Sequence, residues 1–236
     1  MPSFLDRAKQ YAGEKLSDAE KTPYDAEVTE LLSHIDIIKE WSDKNLKKLE
    51  ELVQPNPALR AETALNKKLD NKTVDRMSTI EHWGTIVEST GYNMKPFITE
   101  EDYKLYQLYG GAEVKVGECT REGLNSISEK VVTPLKEFIA NKLGEVGKSR
   151  KTLESRRLDL DVSKNKCKKA KEADKAAAEA SLAEQQTKFD VQTGETKQIA
   201  KTTIEEYTTL QKALLKEFLD LQIQHLKSSA DVLTNY

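Results

Sequence analysis

Apolar residues recur at alternating intervals of three and four over most of the chain, which is the spacing of one face of an amphipathic helix. The first such series comprises Val28, Leu31, Ile35, Ile38, Leu49 and Leu52. It predicts a long helix from residue 28 to residue 54. Pro55 and Pro57 end it, because each ring removes an amide donor and disfavours the helical conformation of the preceding residue.

A second series follows a less regular segment at about 56–96, which we interpret as an insert. The helical pattern resumes near Glu100 and continues to about Lys130. Thr133 and Pro134 then predict the cap and first turn of a second long helix, over about 133–175. Its apolar positions fall at every seventh residue, namely Ile139, Val146, Leu153, Leu160 and Cys167.

A third long helix is predicted over about 179–235, and it carries two adjacent apolar rows. One row comprises Phe189, Ile199, Tyr207, Leu210, Leu214, Phe218 and Leu221. The other comprises Leu215, Leu219, Ile223 and Leu226. Across the three helices, the residues predicted to form the coiled-coil or dimer core are Ile35, Ile38, Leu153, Leu160, Leu210, Leu214, Phe218 and Leu221.

These lengths favour an elongated architecture. At about 1.5 Å per residue, the second and third helices reach about 65 Å and about 85 Å. Helices of that length do not close a globular core, and one neighbour does not cover the two rows of the third helix. The pattern therefore predicts an all-α, antiparallel three-helix coiled coil that buries its remaining apolar surface against a second copy.

The N-terminal segment, residues 1–21, has its own amphipathic pattern. Its apolar residues gather within about 140° of a helical wheel. They are Phe4, Leu5, Ala8, Tyr11, Ala12 and Leu16. Gly13 disfavours a free helix, so we expect disorder until the segment binds a partner. Two partners remain open at this point, namely a membrane that the helix enters and the bundle itself.

Positive charge is concentrated near the end of the second predicted helix, although the whole chain has a net charge of −3. The cations are Arg156, Arg157, Lys164, Lys166, Lys168, Lys169, Lys171 and Lys175. A lipid surface, a nucleic acid or an acidic protein would be attracted to such a patch, whereas the plain alternative is a solvated helix face. No aromatic side chains alternate with the lysines, so we do not expect nucleic-acid binding.

Composition and motifs disfavour an enzyme. The chain is 33% charged and only 6% aromatic, which is typical of long helices. Gly147-Lys148-Ser149 lacks the first glycine and the preceding strand of a phosphate-binding loop. Neither the three histidines nor Cys119 and Cys167 have the spacing of metal ligands or disulfides. These motifs and spacings therefore predict no metal or cofactor. Because no apolar run is long enough to span a bilayer, we expect a cytoplasmic protein.

Four stretches of the chain resemble the endophilins, and in particular the endophilin B branch. They are AGEKLSDAEKT at 12–22, LVQPNPALRAE at 52–62, YGGAEVKVGE at 109–118 and RRLDLDVSKNKCKKAK at 156–171. The resemblance implies an N-BAR domain, a crescent-shaped homodimer with a six-helix bundle at its centre. It divides the chain into a membrane-inserting helix at 1–21 and a BAR domain at 22–236. Met77, Ile80 and Trp83 would lie in the insert and enter the membrane.

By this resemblance the protein is peripheral on intracellular membranes and senses and generates curvature in membrane trafficking. The implied partners are anionic phospholipid membranes, a second copy of the chain and related BAR proteins as heterodimer partners. The eight cations named above, from Arg156 to Lys175, would then be the contacts to anionic lipid. The N-terminus is shorter than the usual leader, and the chain stops at Tyr236 without an SH3 domain. We therefore do not expect proline-rich partners. The alternative from another class is a cytoskeletal or adaptor scaffold that does not remodel membranes.

Overall fold

The computed structural model describes residues 4–16, 21–68 and 76–235, and no strand occurs in those ranges. The α-helices within them are α1 (Phe4–Leu16), α2 (Ala26–Val53), α3 (Pro57–Lys68), α4 (Thr79–Met94), α5 (Glu100–Ile127), α6 (Thr133–Phe138), α7 (Gly144–Lys169) and α8 (Lys175–Thr234). The fold is therefore all-α, and α8, with 60 residues, is the longest described helix.

Local capping explains where α2 and α3 begin and end. The Asp25 carboxylate accepts a hydrogen bond from the Val28 amide at 2.7 Å, which satisfies a donor of the first turn of α2. At the other end Pro55 stops the helix after Val53. Asn56 then accepts from the Ala58 amide at 2.9 Å, with Pro57 in the first helical position of α3.

The segment predicted as an insert, at about 56–96, contains α3 and α4, and α4 packs closely along α5. Ser78 and Glu81 form a reciprocal capping box at the start of α4. Glycines at the contact remove the side chains that would separate the helices. A Cβ atom at Gly84 would lie 2.6 Å from the carbonyl oxygen of Gly110, a distance that real contacts do not show. Buried Glu81 also pairs with Arg121 on α5 at 3.1 Å.

The predicted start of a helix at Thr133 is wrong, because the chain is helical without a break from Glu100 to Lys169. Pro134 is accommodated by a π-helical segment, Ser128–Val132, directly before α6. Thr133 does not cap a new helix but donates its hydroxyl to the Ser128 carbonyl at 3.0 Å. The widened turn and this hydroxyl compensate for the missing proline amide, as side chains and π-bulges do in other kinked helices.

The turn before α8 also differs from the predicted boundaries. α7 ends at Lys169, with Ala170 in an extended conformation. A short 3₁₀ turn, Glu172–Asp174, leads directly into α8 at Lys175. The two long helices are therefore joined by a connection that begins earlier than residue 175 and ends before residue 179. Lys171 and Lys175 lie in or next to this turn.

The chain forms two compact units, each with its own core. The first unit comprises the described residues up to 42 together with 137–209, and the second comprises the described residues of 43–136 and 210–235. In the first, the predicted core residues Ile35, Ile38, Leu153 and Leu160 are buried. In the second, Leu214 and Leu221 are buried, whereas Leu210 and Phe218 are half-buried.

Candidate functional site

α1 packs on α7 through its polar side. Arg7 forms a bidentate ion pair with Asp159, with Nε to Oδ1 at 2.6 Å and Nη2 to Oδ2 at 2.8 Å. The Asn165 amide donates to Gln10 Oε1 at 2.9 Å. The disorder expected from Gly13 is therefore not what the structure shows for residues 4–16. Contacts from α7 supply the order that the intrinsic helix propensity of this short segment does not.

A buried arginine at the centre of this contact joins the two helices. Arg157 of α7 is 0% exposed. Its guanidinium binds both carboxylate oxygens of Glu14 on α1, at 3.0 and 2.8 Å. It also binds Glu154 at 2.6 Å and Asp161 at 2.7 Å. Three carboxylates around one planar guanidinium satisfy its hydrogen-bond donors, as a buried charge requires.

The ionisation of this network follows from its geometry. Burial favours neutral Arg157, but hydrogen bonds and charges from Glu154 and Glu14 raise its pKa above the ordinary value. The hydrogen bond from Arg157 lowers the pKa of Glu154 to about 2, against the opposing effect of burial. Burial raises the pKa of Glu14, but the Arg157 hydrogen bond and charge outweigh it and leave that pKa lowered. These three groups stay charged at neutral pH.

The segment between α1 and α2 is tied to the same network. The Thr22 amide donates to Asp161 at 3.2 and 3.3 Å, and the Thr22 hydroxyl also bonds this carboxylate. The Tyr24 hydroxyl bonds Glu154, and burial together with that carboxylate raises the pKa of Tyr24. These contacts hold the chain on α7 at both sides of the undescribed residues 17–20.

Two of the predicted lipid contacts are engaged inside the protein. Arg157 does not reach the surface, which corrects its assignment as a lipid contact: its charge is neutralised by Glu14, Glu154 and Asp161. Lys164 donates to the Thr22 hydroxyl at 2.7 Å and is half-buried. Arg157 stabilises the attachment of α1.

The other predicted cations lie at or near the surface. Arg156 is half-buried. Lys166 is exposed and pairs with Asp6 of α1 at 2.9 Å. The remaining exposed lysines at the end of α7 and in the turn are Lys168, Lys169, Lys171 and Lys175. Lys175 lies 4.0 Å from Glu172, a weak and solvated pair. An exposed cationic surface thus remains where α7 meets α8.

A groove of about 410 Å³ runs between α1 and the end of α7. Its lining is basic and polar, with one carboxylate. The lining residues are Asp6, Lys9, Gln10, Val162, Asn165, Lys166 and Lys169. The groove places a lysine of α1 beside two lysines of α7, so the positive charge of the two helices belongs to one surface.

The predicted apolar sector of α1 faces away from α7 where its side chains are described. Ala8 and Ala12 are exposed, and Tyr11 is 47% exposed. The side chains of Phe4, Leu5 and Leu16 lie outside the described residues. α1 is thus attached by its polar side and shows apolar residues outward, the reverse of an ordinary surface helix.

Apolar side chains of the second unit are also exposed. Met77, Ile80 and Trp83 are 55%, 36% and 53% exposed around the start of α4, in the segment predicted to enter a membrane. The second predicted row of α8 is 50–64% exposed along its length. It comprises Leu215, Leu219, Ile223 and Leu226. Residues at this spacing share one helix face, so α8 carries a continuous apolar stripe.

The sequence patterns missed the buried carboxylates of α7 that pair with Arg7 and Arg157. Asp159 and Asp161 are 1% and 2% exposed, although charges on a helix usually indicate a solvated face. One signal was present: Glu154 and Asp161 lie three and four residues from Arg157, the spacing at which helical side chains meet. The participation of Glu14 depends on how α1 docks, which no local pattern specifies.

Two features are absent from the described residues. None of the helices there is long and apolar enough to cross a membrane. Across residues 4–16, 21–68 and 76–235, no group of three or more histidine, cysteine or acidic side chains is arranged to hold a metal ion.

Comparison with known proteins identifies similar sequences over most of the chain. A family model described as BAR domain matches residues 3–235. Endophilin-B1 of Gallus gallus and of Rattus norvegicus are each 37% identical over 198 residues, or 80% of this chain and 52% of the relative. Endophilin-B2 of Gallus gallus is 37% identical over 184 residues, or 74% and 43% respectively. The chain spans about half the length of the curated relatives it matches.

Proposed function

Because this chain belongs to the BAR domain family, we propose that it is a peripheral membrane protein that senses and generates curvature on anionic intracellular membranes. The observation that carries the proposal is the exposed lysine surface at the end of α7, next to a helix whose apolar side faces outward. Electrostatic attraction and apolar insertion are the two terms that bind amphipathic protein surfaces to bilayers. The proposal needs neither a catalytic step nor a cofactor.

Lipid binding is assigned to the exposed cations, with Arg157 excluded. Each basic residue near an anionic surface contributes about 1 kcal/mol, and the contribution falls off within a Debye length. The proposed contacts are Lys9, Lys166, Lys168, Lys169, Lys171 and Lys175. Arg156 and Lys164 contribute less because both are half-buried. Binding is therefore expected to weaken strongly as salt rises.

The proposed partner of the exposed α8 stripe is a second copy of this chain. Half-exposed Leu215, Leu219, Ile223 and Leu226 would leave a large apolar surface in water, and monomers rarely expose such surfaces. A symmetric pair of stripes covers both at once. We infer that the resulting homodimer has the crescent shape and central helical bundle implied by the family. Heterodimers with related BAR proteins would use the same stripe.

Met77, Ile80 and Trp83 are proposed to enter the membrane. Their exposure supports this assignment and equally suits contact with a second copy, so the test separates the two environments. With Trp41 replaced by phenylalanine, Trp83 is the remaining tryptophan. Quenching of its emission by brominated lipids in vesicles supports insertion. Trp83 emission that responds only to dissociation of the dimer would assign Met77, Ile80 and Trp83 to the dimer interface.

The experiment that tests the proposed function is vesicle binding at graded lipid charge and graded diameter. We expect binding to rise with the fraction of phosphatidylserine and, at fixed composition, to be tighter on small vesicles, with tubules visible by electron microscopy. Binding that is independent of diameter, with vesicles left intact, would reject curvature coupling. A well-folded dimer that does not bind would favour the scaffold alternative.

A further inference from the structure

We propose that α1 enters the lipid surface while it remains docked on α7, so that the two helices form one composite membrane-binding surface. This inference rests on the proposed function and adds that α7 holds α1 in place during insertion. In the alternative arrangement, α1 is attached through a flexible linker and leaves α7 before it inserts into the membrane. The two arrangements require different fates for the contacts between α1 and α7.

The first support is the direction in which α1 faces. The residues that contact α7 are polar or charged, among them Arg7, Gln10 and Glu14. Ala8 and Ala12 lie on the opposite side and are exposed. Residues about four apart share a side of a helix, so the outward side is the apolar sector. A membrane can therefore reach this sector without any movement of α1.

The second support is the position of the lysines. Lys9 lines the same groove as Lys166 and Lys169 of α7, and all three are exposed. With α1 docked, its flanking lysine and the α7 lysines approach an anionic bilayer together. Their attraction would hold the apolar sector at the depth of the headgroups, where amphipathic helices reside. Undocking would separate these charges.

The third support is the free energy that release of α1 would cost. A membrane shifts α1 away from α7 only if it binds the released helix better than the docked one. Release would uncover little more of the described apolar sector, because Ala8, Tyr11 and Ala12 are already exposed in the docked form. It would remove Glu14 from Arg157 and Arg7 from Asp159, two ion pairs with almost fully buried partners. The docked helix is thus the favoured form both in solution and on the membrane.

A reversible cross-link tests the proposal. In a background with Cys119→Ser and Cys167→Ser, the variants Gln10→Cys and Asn165→Cys place thiols where the native side chains bond at 2.9 Å. A short bis-methanethiosulfonate reagent then locks α1 on α7, and reductant releases it. Each single-cysteine variant treated with the reagent is the matched control. The probe is a vesicle of phosphatidylserine and phosphatidylcholine in equal amounts.

The locked protein is expected to bind and tubulate these vesicles within a factor of two of the unlocked protein. Loss of tubulation in the locked form, restored by reductant, would overturn the proposal in favour of a released helix. Failure of the unlocked parent to bind vesicles would instead reject the proposed function, so the two failures are distinguishable.

Spin labels provide a second test that needs no lock. Ala12→Cys and Thr152→Cys place labels at exposed positions of α1 and α7 in the same cysteine-free background. We expect the distance between labels to be the same in solution and on vesicles, while the Ala12 label becomes accessible to oxygen dissolved in lipid. A broadened or lengthened distance on vesicles would contradict docking. A fixed distance with the Ala12 label still in water would contradict insertion.

Discussion

The two units of the chain treat charge and apolar surface in opposite ways. In the first, charged side chains such as Arg157, Asp159 and Asp161 are buried and paired, and few large apolar residues are exposed. In the second, Glu81 is the only buried charged or polar residue among those described, whereas exposed apolar residues extend along α4, α5 and α8. The first unit pairs its buried charges internally, whereas the second leaves a row of apolar side chains exposed. We propose that the cationic membrane contact lies on the first unit, and that the second carries the dimer contact together with the inserting residues Met77, Ile80 and Trp83.

The largest expected effect comes from Arg157→Ala, which breaks the closed network of the first unit. Removing one member of a buried ionic cluster leaves uncompensated carboxylates and costs about 3–5 kcal/mol. We expect urea denaturation to report this loss, with the opening of α1 first. Arg156→Ala is the matched control, because that half-buried neighbour makes no such network and should change stability by less than about 0.5 kcal/mol. Equal stability of the two variants would contradict a structural role for Arg157.

The same variant should change the pH dependence of stability. Glu154 and Glu14 have pKa values lowered from 4.5, in the case of Glu154 to about 2. A lowered folded pKa stabilises the protein above pH 4.5, and this stabilisation is lost as the pH falls towards the folded value. The difference between wild type and Arg157→Ala should therefore shrink between pH 4.5 and pH 2. A difference that stays constant over that range would show that these carboxylates do not depend on Arg157.

The second prediction tests the assignment of the second unit. Leu219→Glu with Ile223→Glu places unpaired charges in the proposed dimer contact of both copies. At roughly 2 kcal/mol for each copy, the dissociation constant of the dimer should rise about 1000-fold, as measured by sedimentation equilibrium. Gln224→Glu, on an exposed position of the same helix, is the control and should leave the dimer intact. A dimer that survives the double change has its interface elsewhere.

The third prediction separates the lysines of the two units. Lys168→Glu, Lys169→Glu and Lys171→Glu together should weaken binding to anionic vesicles about 100-fold or more, from about 1 kcal/mol per lost cation. The dimer should remain. The control carries the same change of net charge on exposed lysines of the second unit, Lys47→Glu, Lys104→Glu and Lys227→Glu. Equal losses in both variants would mean that net charge, not position, determines binding.

The smallest expected effect concerns the outward side of α1. Ala8→Glu with Ala12→Glu keeps good helix formers but makes the proposed wedge polar. Tubule formation should fall roughly tenfold, while vesicle binding falls less because the lysines are retained. Thr202→Glu with Thr209→Glu adds the same charge on exposed positions of α8 and is the control. A parallel loss of binding and tubulation would remove the distinction between wedge and electrostatic contact. Phe4→Glu with Leu5→Glu should act in the same direction, although those side chains lie outside the described residues.

Long periodic patterns predicted the helices of both units well. The series that begins at Val28 and the two rows of the third predicted helix correspond to α2 and α8, because burial of one face repeats over many turns. The continuity of the helix through Pro134 was not predictable. A proline usually starts or ends a helix, and its accommodation depends on the π-helical turn at Ser128–Val132 and the Thr133 hydroxyl.

The candidate site was predictable only in part. The exposed lysines at the end of α7 follow directly from charge patterning. The burial of Arg157 does not, because it requires Glu14 to approach from a helix more than a hundred residues away in sequence. The outward direction of the α1 apolar sector was also not predictable. An amphipathic helix normally packs by its apolar side, and here the paired charges of α7 select the polar side.

Lysine footprinting tests whether the cationic membrane contact lies on the first unit or on the second. The dimer is acylated in solution and on phosphatidylserine-rich vesicles, and the modified lysines are identified by mass spectrometry. We predict protection of Lys9, Lys166, Lys168, Lys169 and Lys171 on vesicles, with Lys104, Lys212 and Lys227 modified equally in both states. Protection confined to the lysines of the second unit would contradict the assignment.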